Sequence, residues 1–153
     1  MAHLRSAIFA AVKAELAAIP AFSGAGKVAR GRTRAIPEEL LPAITLTWAD
    51  DDERATIRPC AGADGSDGYD RDLPISVIVH LRDADPEEEF DRICELVEPR
   101  MAGIIKVGGL AIEMTLASTR FFVQRETGLP LMAGRLVYRT SYKTLADPAL
   151  SAL

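Results

Sequence analysis

The sequence predicts an α+β fold: a mixed, mostly antiparallel sheet of about four to five strands with two main helices packed on it. Three observations lead there. Apolar residues recur at helical spacing near the start, apolar and polar residues alternate over 73–81, and helix-start signals precede a second apolar stripe after residue 85. The expected order is helix, two or three strands, helix, two strands. The 153 residues show no internal repeat and suit a single domain.

Leu4, Ile8, Val12, Leu16 and Ile19 form one stripe over 2–19, with Arg5, Lys13 and Glu15 off it, and Pro20 closes the helix. In 27–36, Arg30, Arg32 and Arg34 alternate, so an extended chain would point all three to one side. Ile44, Leu46 and Trp48 alternate with Thr45 and Thr47, which reads as a half-buried strand. Leu73, Ile75, Val77, Val79 and Leu81 alternate with Ser76, Ile78, His80 and Arg82. Because Ile78 is apolar on the second face too, this strand is expected at the centre of the sheet.

Asp85 is placed to cap the second helix, Pro86 suits its first position, and Glu87, Glu88 and Glu89 favour the positive end of its dipole. Its stripe is Phe90, Ile93, Cys94, Val97 and Met101, with a bend or break expected at Pro99. Ile112, Met114 and Leu116 begin a strand that continues through Phe121, Phe122 and Val123. The segment 128–134 reads as a turn. Leu136, Tyr138, Thr140 and Tyr142 share one side of the last strand, with Arg135, Val137, Arg139, Ser141 and Lys143 on the other.

Between the strands at 44–48 and 73–81 lies a polar, glycine-studded segment far longer than a hairpin connection. Residues 49–72 are expected as a long flexible loop, made acidic by Asp50, Asp51, Asp52, Glu53, Asp64, Asp67, Asp70 and Asp72. An acidic arm and basic rows in one chain are what a head-to-tail ring would use, since such interfaces join two different patches. The two basic rows are Arg30, Arg32 and Arg34, and Arg135, Arg139 and Lys143. Guanidiniums so arranged could grip phosphates or a neighbour's carboxylates, or they could simply be charged strand edges that discourage unwanted pairing.

Composition narrows the function classes. About half the residues are hydrophobic (48%) and a quarter charged (26%), as in soluble globular domains. A net charge of −4 argues against broad, nonspecific nucleic-acid binding. No stretch approaches the roughly 18–20 apolar residues of a membrane span. Lys13 and Glu15 interrupt the N-terminal apolar run, so it does not read as a signal peptide. Cys60 and Cys94 fit no zinc motif or disulfide framework and are expected as reduced thiols in a cytoplasmic protein.

Catalytic equipment is not visible. GAGKVA, 24–29, lacks the distal glycine and the Ser or Thr of a phosphate-binding loop, and follows a helix instead of a strand. His3 and His80 have no companion at metal-ligand or triad spacing, and His80 reads as a surface-facing or partly packed strand residue. No enzyme, metal or cofactor is expected.

Several stretches together resemble a known family. They are LRSAIFAAVKAEL, ELLPAITLTW, LPISVIVHL, FDRICELVEPRM and, most tellingly, LASTRFFVQRETGLPLMAGRLVYRTSYKT. Over about residues 4–145 the chain resembles, in element order and hydrophobic pattern, the tail terminator proteins of long-tailed phages, the minor tail protein U type. The resemblance implies a structural virion protein forming a homo-hexameric ring on the head-proximal end of the tail tube. Such a ring ends tube polymerisation and provides the head-joining surface. The implied partners are further copies, the tail tube protein and a head-completion or connector protein. DNA would pass through the lumen without specific binding, and the protein would sit at the head–tail junction after assembly in the host cytoplasm. The same element order also suits another head–tail joining ring protein, or a small ligand-binding regulatory α+β domain. The arginines and acids named above are the expected interface residues, with the long loop as an assembly arm.

Overall fold

The computed structural model describes residues 3–49, 52–103, 110–111, 113–124 and 131–146, with only the backbone of 123, 124 and 131. Two helices, α1 (Leu4–Ala17) and α2 (Pro86–Gly103), accompany six strands. The strands are β1 (Val28–Arg30), β2 (Ala43–Trp48), β3 (Arg54–Arg58), β4 (Gly68–Arg82), β5 (Glu113–Gln124) and β6 (Leu131–Leu145). Short 3-10 turns occupy Pro20–Phe22 and Glu38–Leu40. The fold is α+β, with slightly more strands than expected.

The sheet runs β1-β2-β4-β6-β5, and β3 also pairs with β4. Only β1 and β2 are parallel; the other pairs are antiparallel. β4 lies inside, as its apolar second face suggested, and pairs with β6 along its whole length, from Gly68↔Leu145 to Arg82↔Leu131. Strand alternation then assigns the faces. Ile44, Leu46, Leu73, Ile75, Val77, Val79, Leu136, Tyr138 and Tyr142 are buried on one face, beneath the α1 stripe and Phe90, Ile93, Val97 and Met101 of α2. The opposite face carries Thr45, Thr47, Ser76, Ile78, His80, Arg135, Val137 and Arg139.

α1 buries its expected stripe plus Phe9. Asp85 Oδ1 accepts from the Glu88 backbone N–H at 3.4 Å at the start of α2. The helix runs through Pro99 without a break. Gly134 permits a close sheet–helix approach: an added Cβ would lie 2.1 Å from the Phe90 ring. A bulge between Leu116 and Ser118 shifts the β5 register.

The segment expected as one long loop is the largest correction. Ala49 still donates its backbone N–H to Pro74 of β4, and β3 pairs with the same strand, from Arg54↔Asp72 through Arg58↔Gly68. β4 itself starts at Gly68, so most of 49–72 is strand, turn and strand. The expectation failed because this region gains order from backbone ladders and not from burial. Four of the five β3 residues are exposed, so they have no apolar periodicity to read. The segment 131–134, expected as turn, belongs to β6. Ile112, the residues 125–130 and the tail from Asp147 lie outside the described residues.

Candidate assembly surfaces

Arg30, Arg32 and Arg34 do not form a comb. β1 ends at Arg30, and Gly31, at φ +63°, turns the chain out of the extended alternation. Arg30 sits on the helix side, its guanidinium carbon 4.3 Å from the centroid of the Phe9 ring. Arg32 turns to the opposite face. Its Nε donates to Thr45 Oγ1 at 2.9 Å, and its Nη2 donates to the carbonyls of Gly26, Lys27 and Ile44 at 2.8, 3.0 and 3.1 Å. Arg32 is therefore a bracket tying the β1 turn to β2. Arg34 is exposed and lines a cleft.

The acids of 49–72 are largely satisfied within the chain. Asp72 takes a paired contact from Arg139, whose Nε and Nη2 lie 3.1 and 2.7 Å from its two oxygens. Arg58 lies 3.4 Å from Asp70. Asp64 accepts from the Ser66 backbone N–H at 3.0 Å, and those Ser66 bonds hold its pKa below the usual range. Asp67 accepts from the Cys60 N–H at 3.1 Å, where Cys60 adopts φ 54°. These contacts order the turn joining β3 to β4. Asp52 is exposed; Asp50 and Asp51 lie outside the described residues. Arg135 stands opposite Ile78 and Arg120, and Lys143 opposite Asp70.

Glu53 is the residue that sequence reasoning misplaced most. Its side chain is 7% exposed and accepts from Arg5 of α1, Arg71 of β4 and the Tyr142 hydroxyl of β6. Burial pushes the Glu53 pKa upward, but the bonds from Arg5 and Tyr142 and the charges of Arg5 and Arg71 outweigh it. The carboxyl is held below its ordinary range. Arg5 also lies 4.5 Å from the centroid of the half-exposed Trp48 ring. Glu53, just before β3, thus places one carboxylate where helix and sheet meet. No sequence signal marks this, because the three partners stand 48, 18 and 89 residues away.

A cleft of about 540 Å³ opens between residues 31–41 and the helix-free face of β2 and β4. Thr45, Thr47, Ile78 and His80 are on its sheet side, and Arg32, Arg34 and Arg82 bring cationic groups to it. Thr45 Oγ1 lies 3.0 Å from His80 Nε2. With Arg32 already donating to that oxygen, the threonine hydroxyl can donate to a neutral imidazole. Burial first, and then the Arg32 charge, lower the His80 pKa and favour that neutral form. His80 is thus a half-buried strand residue, as expected. Arg82 Nη1 reaches Glu38 at 3.6 Å, and its buried Nε has no hydrogen-bond partner.

Among the described residues, no group of three or more His, Cys, Asp or Glu is placed to hold a metal ion. Cys60 is exposed and Cys94 buried, both as free thiols. No described helix is long and apolar enough to cross a membrane. Among the described residues, the large apolar side chains left at least one-third exposed are Trp48, Ile57, Leu96, Leu116, Phe121 and Phe122. No protein-family model matches the chain, and no curated protein matches it in sequence.

Proposed function

We propose that the chain is a structural virion protein of the tail-terminator kind. Six copies form a ring on the head-proximal end of a phage tail tube, end tube polymerisation and offer the surface on which head-completion or connector proteins dock. DNA passes through the lumen without specific binding, and the subunit carries out no catalysis. The observation that supports this reading best is the one-sided layering. Both helices pack on one face of a six-stranded sheet, while the other face, among the described residues, carries no α-helix. A two-layer subunit with a helix-free sheet face, and with Phe121, Phe122 and Leu116 exposed along the edge strand β5, suits burial against neighbours. The stretches that carry the family resemblance fall on α1, β2, β4, α2 and the β5–β6 pair.

Gold-tagged protein added to tails assembled without it provides the test. The proposal expects label at one tube end only, the end that joins the head. Label along the tube, at the opposite tip, or nowhere would sink it. Label on a different layer of the junction would favour another head–tail joining ring.

The cleft beside Arg32 favours one reading of a different class, a small ligand-binding regulatory domain. That reading expects stable dimers and a ligand-dependent rise in melting temperature, both measurable on the free protein.

A further inference from the structure

Opposite charges remain available in this chain, but away from the hairpin. Asp70, Asp72 and Glu53 already have cationic partners within the chain. On the helix side, the outer face of α2 carries Glu88, Asp91 and Glu95, all exposed and in no ion pair among the described residues, around one exposed cation, Arg92, which pairs with Glu89. On the helix-free side, the cleft carries Arg34, exposed and without an ion-pair partner among the described residues, and Arg82, whose Nη1 reaches the rim 3.6 Å from Glu38.

We infer that the cleft between residues 31–41 and the β2–β4 face receives the acidic outer face of α2 from a second copy of this chain. This inference rests on the ring reading and names its subunit contact. The two surfaces carry opposite charge and lie on opposite sides of one sheet, so the contact is head-to-tail, the kind that generates rings or filaments. Leu96, 45% exposed on α2, adds apolar area to the acidic face, and Ile36 and Ile78 supply an apolar lining to the cleft. Guanidiniums grip carboxylates through planar, paired donors, which suits Arg34 and Arg82 to helix glutamates. Glu38, at the rim against Arg82, gives way or is bridged when the second carboxylate arrives.

The test is sedimentation velocity on the full chain over a concentration series, at low and raised salt. One variant carries Arg34→Glu; a second carries Glu88→Lys and Glu95→Lys. All three positions are exposed, so folding is retained, and circular dichroism checks it. Each variant alone should associate about tenfold more weakly than wild type, or worse, and wild-type association should weaken with salt. Mixing the two variants should restore association, because the reversed cleft of one meets the reversed helix of the other.

Unchanged association in both variants, loss without rescue on mixing, or a wild type that stays monomeric throughout would overturn the inference. So would a cleft that binds free succinate in wild type but not in Arg34→Glu while association is unaffected; that result marks a small-ligand site. Tube-end binding is read separately. Capping that survives both reversals removes this contact and leaves the terminator reading. Association through the cleft without tube-end binding does the opposite.

Discussion

Replacing Glu53 by alanine removes the carboxylate that joins α1, β4 and β6. Three donors then lose their acceptor: the Arg5 and Arg71 guanidiniums and the Tyr142 hydroxyl. The Arg71 side chain is 13% exposed, so water replaces its lost contact poorly. Breaking a buried ion pair by removing one partner costs about 3–5 kcal/mol. The Arg5 side chain is 24% exposed and rehydrates in part, which lowers the expected cost to about 2–4 kcal/mol. For 153 residues, a loss near the middle of that range lowers the melting midpoint by roughly 6–12 °C.

Urea unfolding followed by far-UV circular dichroism and by tryptophan fluorescence is the assay. Trp48, the sole tryptophan, stacks against Arg5 and so reports on the hub itself. Asp52→Asn, at an exposed position one residue away, is the control and should stay within about 0.5 kcal/mol of wild type. Tyr142→Phe should couple to Glu53→Ala by about 1 kcal/mol or more in a double-mutant cycle, since the two share a hydrogen bond. A Glu53→Ala variant as stable as the Asp52→Asn control would refute the hub.

Four further outcomes follow from the same structure. The Glu53 pKa is depressed in the fold, so its stabilisation is present above the ordinary carboxylate range near about 4.3 and lost as pH falls through its lower folded value. His80, lowered by burial and then by Arg32, makes the folded state resist protonation. Stability should therefore also drop as pH falls below about 6.5, and His80→Gln should flatten that limb of a urea-midpoint-against-pH curve. A thiol reagent at neutral pH should titrate the exposed Cys60 in the folded protein and both cysteines after unfolding. Burial, then the charges of Glu98 and Asp91, push the Cys94 thiol up to about 11. Gly134→Ala should cost about 1–3 kcal/mol in urea unfolding through its clash with Phe90, and adding Phe90→Leu should recover part of it.

The parts of the fold legible in sequence are those that bury a periodic face. The α1 stripe from Leu4 to Leu16, the alternation of Leu73 through Leu81, and the alternation of Leu136 through Tyr142 each meet the core as read. β3 escaped because Arg54, Ala55, Thr56 and Ile57 are exposed, so the strand is held by its ladder and leaves no apolar pattern. The arginine comb assumed an extended chain through Gly31, whose positive φ splits Arg30 from Arg32. Of the candidate site residues, Asp72 and Arg139 were both named, but their pairing depends on the β4–β6 register, which no local signal sets. Glu53 was read as one more solvated loop acid, although it is the acid most deeply enclosed by partners. Its environment depends on residues from three elements meeting, and charge patterning along the chain carries no trace of that.

Tube growth tests the central claim most directly. Purified tail tube protein would be polymerised with and without this chain, and tube lengths measured by electron microscopy. The account predicts that adding the chain halts elongation, with one ring at the arrested end and tube lengths that stop increasing with time. Tubes that keep growing at the same rate with the chain present in excess would contradict it.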